Sequence, residues 1–468
     1  MADKKDISRR HFLGTASCAA LGSVSLLTGL LNLKATGLLA SNAHRMNLRP
    51  QNDYKALVCI LLAGGNDSFN MLVPTDDQPF QDYETTRSNQ SLKKADLLSI
   101  TDTQGNFGIH PSMPEVHQLY QQQNLAFITN VGTLVEPVSD RAAYEAGLSN
   151  LPVGLFSHAD QIQQWQTSVP QTRSAVGWGG KLADLLQASN TSQDISMNIS
   201  LSGNNIFQAG NQVVEYAISP FGNGSTGIDG YGEEDLLDEI KTAATKNLLE
   251  QQYQDIFKQT YADITRQAQA NHEQFSAAIG GVALNTVFSP SYFSQALNMV
   301  AKTIAARNIL GVNRQTFFIT FGGWDHHDEL LNNQAGMLSV VSKGLGEFNQ
   351  ALGELGLANE VTTFTISDFA RTLTSNGNGT DHGWGGNALV MGGAVKGGQF
   401  YGTYPSLALR QSLDVGDGVL IPTTATDTYF AELAMWLGVA PSDLPLVLPN
   451  IGNFYAPGSN TPPMGFLL

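Results

Sequence analysis

Between Thr316 and Gly386 the sequence sets down three stations of acid and imidazole side chains. They are Trp324-Asp325-His326-His327-Asp328, Ser367-Asp368-Phe369-Ala370-Arg371 and Gly379-Thr380-Asp381-His382-Gly383-Trp384-Gly385-Gly386. Carboxylate oxygen and imidazole nitrogen suit a hard or borderline divalent cation such as Zn, Mn, Mg or Ca. Asp325 and His327 are two apart, so strand geometry carried past its end puts them on one side and turns His326 to the other. A lone histidine near a strand end is more often a hydrogen-bonded surface residue, but three such stations together outweigh that reading. Asp368 is either a ligand or the N-cap of a following turn. Arg371, one turn on, either forks onto a tetrahedral anion or pairs with a nearby acid. Asp381 and His382 sit in a glycine loop where backbone and ligand can approach closely.

The elements that must position these stations are strands. Thr316–Phe321 and Val361–Ile366 are apolar runs, each ending in a carboxylate, with an amphipathic stretch from about Gln334 to Leu357 between them. Lys55–Leu62 is a similar run that ends on Ala63-Gly64-Gly65-Asn66-Asp67. Strands that stop on glycine and present a carboxylate are where open α/β sheets place ligands. Further strands are expected over Leu125–Asn130, Ala388–Gly393 and Gln399–Tyr401. Helices are expected up to Gln123, over Gly179–Gln187 and over Asp427–Leu437, the last capped from Thr423–Thr426. Residues 76–106 read as a polar surface excursion, and residues 132–171, punctuated by Pro137, Pro152 and Pro170, as irregular. Residues 233–310 read as a helical scaffold or insertion.

The 468 residues allow one large α/β domain with insertions. The start, Ser8-Arg9-Arg10-His11-Phe12-Leu13-Gly14 before a mildly apolar run to Leu33, predicts a twin-arginine export signal over residues 1–43, leaving a domain over 44–468. The run holds no 18 uninterrupted apolar residues, so no stable membrane span is expected after cleavage, and the protein should be periplasmic or secreted. Its partner during export would be the twin-arginine translocase. Loss of residues 1–43 takes the net charge from −16 to −19, which argues against nucleic acid and anionic membrane as partners. Cys59 alone then remains, in an apolar run, so no intramolecular disulfide is possible and a core position is expected.

Other chemistries fit less well. No Gly-x-Ser-x-Gly elbow surrounds Ser157 or Ser367, and Gly392–Lys396 lacks the spacing of a phosphate loop. Gly383-x-Gly385-x-x-Ala388 is a loose dinucleotide fingerprint with no helix-like segment after it.

The signal, Leu62–Asp67, Leu155-Phe156-Ser157-His158, Phe321–His327, Ser367–Arg371 and Thr380–Gly383 resemble, over essentially the whole chain, the exported bacterial family called domain of unknown function 1501. That family is a distant branch of the alkaline-phosphatase and sulfatase superfamily. The resemblance implies a central, mostly parallel sheet between helices, and one or two divalent cations that activate a nucleophile on a phosphate or sulfate ester. It makes Asp67 the first metal ligand and Ser157 the nucleophile, with His158 beside it. Asp325 and His327 form one cluster, Asp368 and Asp381 or His382 complete the sites, and Arg371 steadies the anion. The superfamily's Asp-His-Gly triplet follows a strand directly. Here Ser367-Asp368-Phe369 holds that place and Asp381-His382-Gly383 comes later, so either acid can be the equivalent. The Cys- or Ser-x-Pro-x-Arg sulfatase signature is absent, since Ser168–Arg173 misses it by one residue. The alternative is a non-catalytic exported protein that keeps the fold to bind a companion exported protein or a surface polysaccharide.

Overall fold

The computed structural model describes residues 54–459 and 461–467. The export signal expected over residues 1–43 lies outside the described residues. The strands are β1 (Lys55–Ala63), β2 (Leu72–Pro74), β3 (Leu98–Asp102), β4 (Gly105–Ile109), β5 (Leu125–Gly132), β6 (Asn198–Ser200), β7 (Tyr216–Ala217), β8 (Arg314–Gly322), β9 (Val361–Ser367), β10 (Gly386–Met391), β11 (Phe400–Tyr401) and β12 (Thr424–Ala425).

Nine of them form one sheet in the order β11-β5-β10-β9-β1-β8-β6-β7, with β12 also on β5. The sheet is mostly parallel, and β10 runs against both its neighbours. The apolar sequence of β1 follows from its place at the centre, where both faces are covered. Alternate residues divide between two cores. Ala56, Val58, Ile60 and Leu62 face one, and Leu57, Cys59 and Leu61 the other. Helices Pro114–Gln121, Tyr292–Ala305 and Leu330–Glu354 fill the first face with side chains such as Val116, Leu297 and Leu345. Helices Trp178–Leu186 and Thr426–Leu437 fill the second with Leu182, Tyr429 and Phe430.

Three expectations change. Residues 76–106 hold a helix, Asp77–Arg87, and the strands β3 and β4, which join β2 in a small antiparallel sheet. Its burial is narrow, with Tyr83, Thr86 and Arg87 the buried residues of the helix, so the apolar period was weak. The irregular stretch contains a helix, His158–Thr167, that buries Gln161, Gln164 and Gln166 beside Trp165, polar residues that hide a buried face from any hydrophobic pattern. The helix Thr426–Leu437 has Ala425 as its N-cap and no side-chain cap. Within residues 233–310, Tyr292–Ala305 is core scaffold packed on Leu330–Glu354, where Gly344 leaves room for Phe293. Helix Leu236–Glu250, by contrast, buries Leu249 alone.

Candidate metal centre

The register of the three central strands builds the site. Leu62 of β1 is level with Phe321 of β8 and with Ser367 of β9, so the strands end together at one edge of the sheet. Past that edge β1 turns on Gly64 and Gly65, and β8 on Gly323, all at positive φ. A side chain at Gly64 would stand 2.5 Å from the Asp325 nitrogen, so glycine is what lets the two turns touch. Asp325 follows the β8 turn and Asp368 follows β9 directly. The glycine loop returns through an antiparallel bridge between Arg371 and His382, which brings His382 to the same edge. His158 arrives in the first turn of the helix His158–Thr167, whose N-cap is Ser157.

The result is a convergence of imidazoles. His158 Nδ1 donates to Asp368 Oδ2 at 2.6 Å, His327 Nδ1 to Asp381 Oδ1 at 3.0 Å, and His382 Nδ1 to the Phe156 carbonyl at 2.7 Å. Each acceptor fixes the proton on Nδ1 and leaves the Nε2 lone pair free. Those lone pairs face one another: His158 Nε2 and His327 Nε2 lie 3.1 Å and 3.0 Å from His382 Nε2. Asp325 closes the group, with Oδ1 3.0 Å from His327 Nε2 and 3.5 Å from His382 Nε2. Its Oδ2 is 3.4 Å from His158 Nε2. His158, Asp325 and His382 together meet the spacing of a metal site. His327 forms a second triad with the same Asp325 and His382. Donors 3.0–3.5 Å apart match the edges of a tetrahedron whose metal bonds are about 2.0–2.2 Å.

The surroundings tune these groups. Arg371 Nη1 donates to Asp325 Oδ1 at 2.7 Å. Partial burial pushes the Asp325 carboxyl up, but the Arg371 bond and charge, with the nearby histidines, hold it below the usual range. Burial lowers the His382 imidazole and keeps it neutral. Burial raises the Asp368 carboxyl, against the pull of the Gly64 amide and of His158. Asp381 is held low by the Asn376 and His327 bonds, which outweigh its desolvation. The Phe369 ring lies 4.8 Å from that of His158 and 4.6 Å from that of His382, an apolar wall that limits how both can turn.

The residues singled out from sequence thus separate into roles. Asp325, His327 and His382 meet as donors, and His158, expected beside the nucleophile, meets them. Asp368 and Asp381, expected as ligands, sit one bond further out, on the Nδ1 side of two of the histidines. Asp368 is fully buried with both oxygens engaged, one by the Gly64 amide at 3.0 Å. Arg371 pairs with an acid: it is buried, and beyond Asp325 it donates to the Gly64 carbonyl and to Thr380. Asp67, expected as the first ligand, lies in a fully buried ion pair with Arg87 and, among the described residues, belongs to no metal-spaced group. Ser157 accepts from the Asp160 amide at 3.4 Å as a helix cap. Missed were the Phe156 carbonyl, the Gly64 amide and Phe369. No sequence pattern announces a carbonyl partner, though the Leu155–His158 motif contains it.

The family model described as "Protein of unknown function (DUF1501)" matches residues 54–417. No curated protein matches the chain. Among solved structures it is similar to the PsFucS1 sulfatase from Pseudoalteromonas sp., at 13% identity and a TM-score of 0.33, over 88% of this chain and 70% of that one. It is also similar to the soluble domain of lipooligosaccharide phosphoethanolamine transferase A from Neisseria meningitidis, at 9% identity and a TM-score of 0.32, over 86% and 90% of the two chains. A third is alkaline phosphatase from the Antarctic bacterium TAB5, at 10% identity and a TM-score of 0.26, over 75% and 95%.

Proposed function

The chain belongs to the DUF1501 family of proteins of unknown function, and on that premise we propose that it is an exported metal-dependent hydrolase or transferase acting on a phosphate or sulfate ester. The observation that carries the reading is the set of facing Nε2 atoms, 3.0 and 3.1 Å apart, whose lone pairs repel unless a cation lies among them. Imidazoles beside a carboxylate favour a borderline metal such as Zn or Mn over Mg or Ca, which prefer all-oxygen shells. Such a cation supplies Lewis acidity and lowers the pKa of a bound nucleophile.

The chain's own residues do the rest. His158, His382 and Asp325 would hold the cation, with His327 against His382 and Asp325 on the other side. Asp368, Asp381 and the Phe156 carbonyl keep each imidazole in the tautomer that can bind it. Arg371 offsets the negative charge of Asp325. Ser157, next to His158, uses its oxygen as a cap acceptor and keeps its proton for transfer, which leaves it the nucleophile candidate. The donors stand at an open edge, with Asp325 and His327 side chains each 43% exposed, so a bulky ester can reach them. Export by the twin-arginine translocase, and a companion exported protein or surface polysaccharide as partner, belong to the same proposal.

The test is the metal content of the purified protein, by mass spectrometry, beside an Asp325→Ala/His382→Ala double variant. A stoichiometric borderline metal lost in the variant is expected, followed by turnover in a panel of phosphate and sulfate esters. Ser157→Ala should keep the metal and lose turnover, and retained turnover would pass the nucleophile's role to water. Absence of metal in the parent protein, even after loading, would sink the hydrolase and leave the non-catalytic binding protein.

A further inference from the structure

The helix His158–Thr167 carries one more polar side chain to the site, behind the histidines rather than among them. Gln161 is fully buried, although its amide has two donors and an acceptor to place. It finds partners on two backbones. With its oxygen toward the Phe156 nitrogen, 2.8 Å away, and its nitrogen toward the Asp368 carbonyl oxygen, 3.3 Å away, both ends are bonded. Turned over, the amide would set donor against donor and acceptor against acceptor, so these two partners fix its orientation.

Phe156 is where such a tie matters. Its φ is +70°, a left-handed backbone that a bulky residue rarely adopts and that persists only where the surroundings hold it. The same turn aims the Phe156 carbonyl at His382 Nδ1, 2.7 Å away. The peptide groups on either side of its Cα are therefore both held from outside, the N–H by Gln161 and the carbonyl by His382. At the other end of the amide, Asp368 gives its carboxylate to His158 Nδ1 at 2.6 Å. One buried side chain thus joins the residue that fixes the His382 ring to the residue that fixes the His158 ring. A glutamine that only filled the core would not need both partners to be the acceptors of facing imidazoles.

We propose that Gln161 is a positioning residue of the centre: it holds Phe156 in its left-handed backbone and Asp368 in place, and so keeps the protons of His382 and His158 on Nδ1 with their Nε2 atoms facing one another. The claim on tautomers stands on these bonds alone. Its consequence for a cation rests on the metal reading given above.

Nitrogen NMR of metal-free protein labelled in its histidine rings decides the first claim, at about pH 8 where imidazoles are neutral. His158→Gln and His382→Gln assign the two rings, and both should carry the proton on Nδ1 in the parent. Gln161→Met keeps the length and loses the amide, and should move a measurable share of the His382 signal to the Nε2–H form. Adding Phe156→Gly should reverse that shift, because glycine takes a positive φ without strain, whereas a core merely loosened would stay loose. Gln161→Glu serves as a second variant that still accepts from the Phe156 nitrogen, and should spare His382 while disturbing His158. An unchanged His382 in Gln161→Met, or a change that glycine does not reverse, would overturn the role. For the second claim, Gln161→Met should bind cobalt about tenfold more weakly with shifted visible bands, and the added glycine should restore most of both. Equal affinity in Gln161→Met and the parent would refute it. Failure of the parent to bind cobalt would sink the metal reading instead, and the ring signals would still decide the positioning.

Discussion

Asp368 shows how a residue's role follows from what each of its oxygens meets. Its Oδ1 takes the Gly64 amide at 3.0 Å and its Oδ2 takes His158 Nδ1 at 2.6 Å, which sets it behind His158 as the group that orients the ring. Asp368→Asn is expected to keep the fold and weaken metal binding about 10- to 100-fold, less than the loss in Asp325→Ala. Competition with a chromophoric chelator measures both, and equal losses would make Asp368 a ligand instead. The pairing of Asp325 with His327 was legible because the in-and-out alternation carries on past the end of β8, with His326 buried between the two exposed side chains. His158 as a donor was not, since it stands 224 residues from His382 and joins it only through the fold. Asp67 illustrates the converse. Its strand-glycine-acid setting matches the other stations, but Arg87, which claims it, comes from a helix in the stretch that read as a polar excursion.

Among the elements, the central strands could be read because burial on both faces makes a strand apolar throughout. The helix His158–Thr167 escaped because tertiary contacts bury its polar side chains, and β3 and β4 because so few apolar residues, Ile100, Phe107 and Ile109, mark their buried face. The helix Thr426–Leu437 carries a pH dependence of its own. Burial pushes the Asp427 carboxyl in its first turn up to about 7, against the Ser168 hydroxyl bond and the charge of Lys181. The folded state therefore keeps a proton that the unfolded chain releases at its ordinary carboxylate pKa. Stability from this group is full below about pH 4 and is lost as pH rises through about 7, by an amount on the order of 4 kcal/mol at most. Tm measured from about pH 4 to about pH 8 should fall more steeply in the parent protein than in Asp427→Asn. Parallel curves would show that the carboxyl stays charged in the folded protein.

At the scale of the molecule, Cys59 lies at the centre of β1 with no exposed surface, flanked by β8 and β9. In protein lacking residues 1–43 its thiol is the only one, so its reaction with a chromogenic disulfide should follow the global unfolding free energy across a denaturant series. Fast reaction in native buffer would mean that the sheet opens locally. Among the described residues β1 is the strand that the ribosome makes first, yet the partners that flank it come much later. Tyr54, at its start, bonds Gln315, 261 residues on, and the β9 partners begin at Val361. At about 5–20 residues per second the nascent strand waits on the order of ten seconds to a minute for its neighbours. Its apolar sequence stays open to aggregation throughout that interval, so yield in the cell should depend on synthesis rate and on whatever shields the emerging chain.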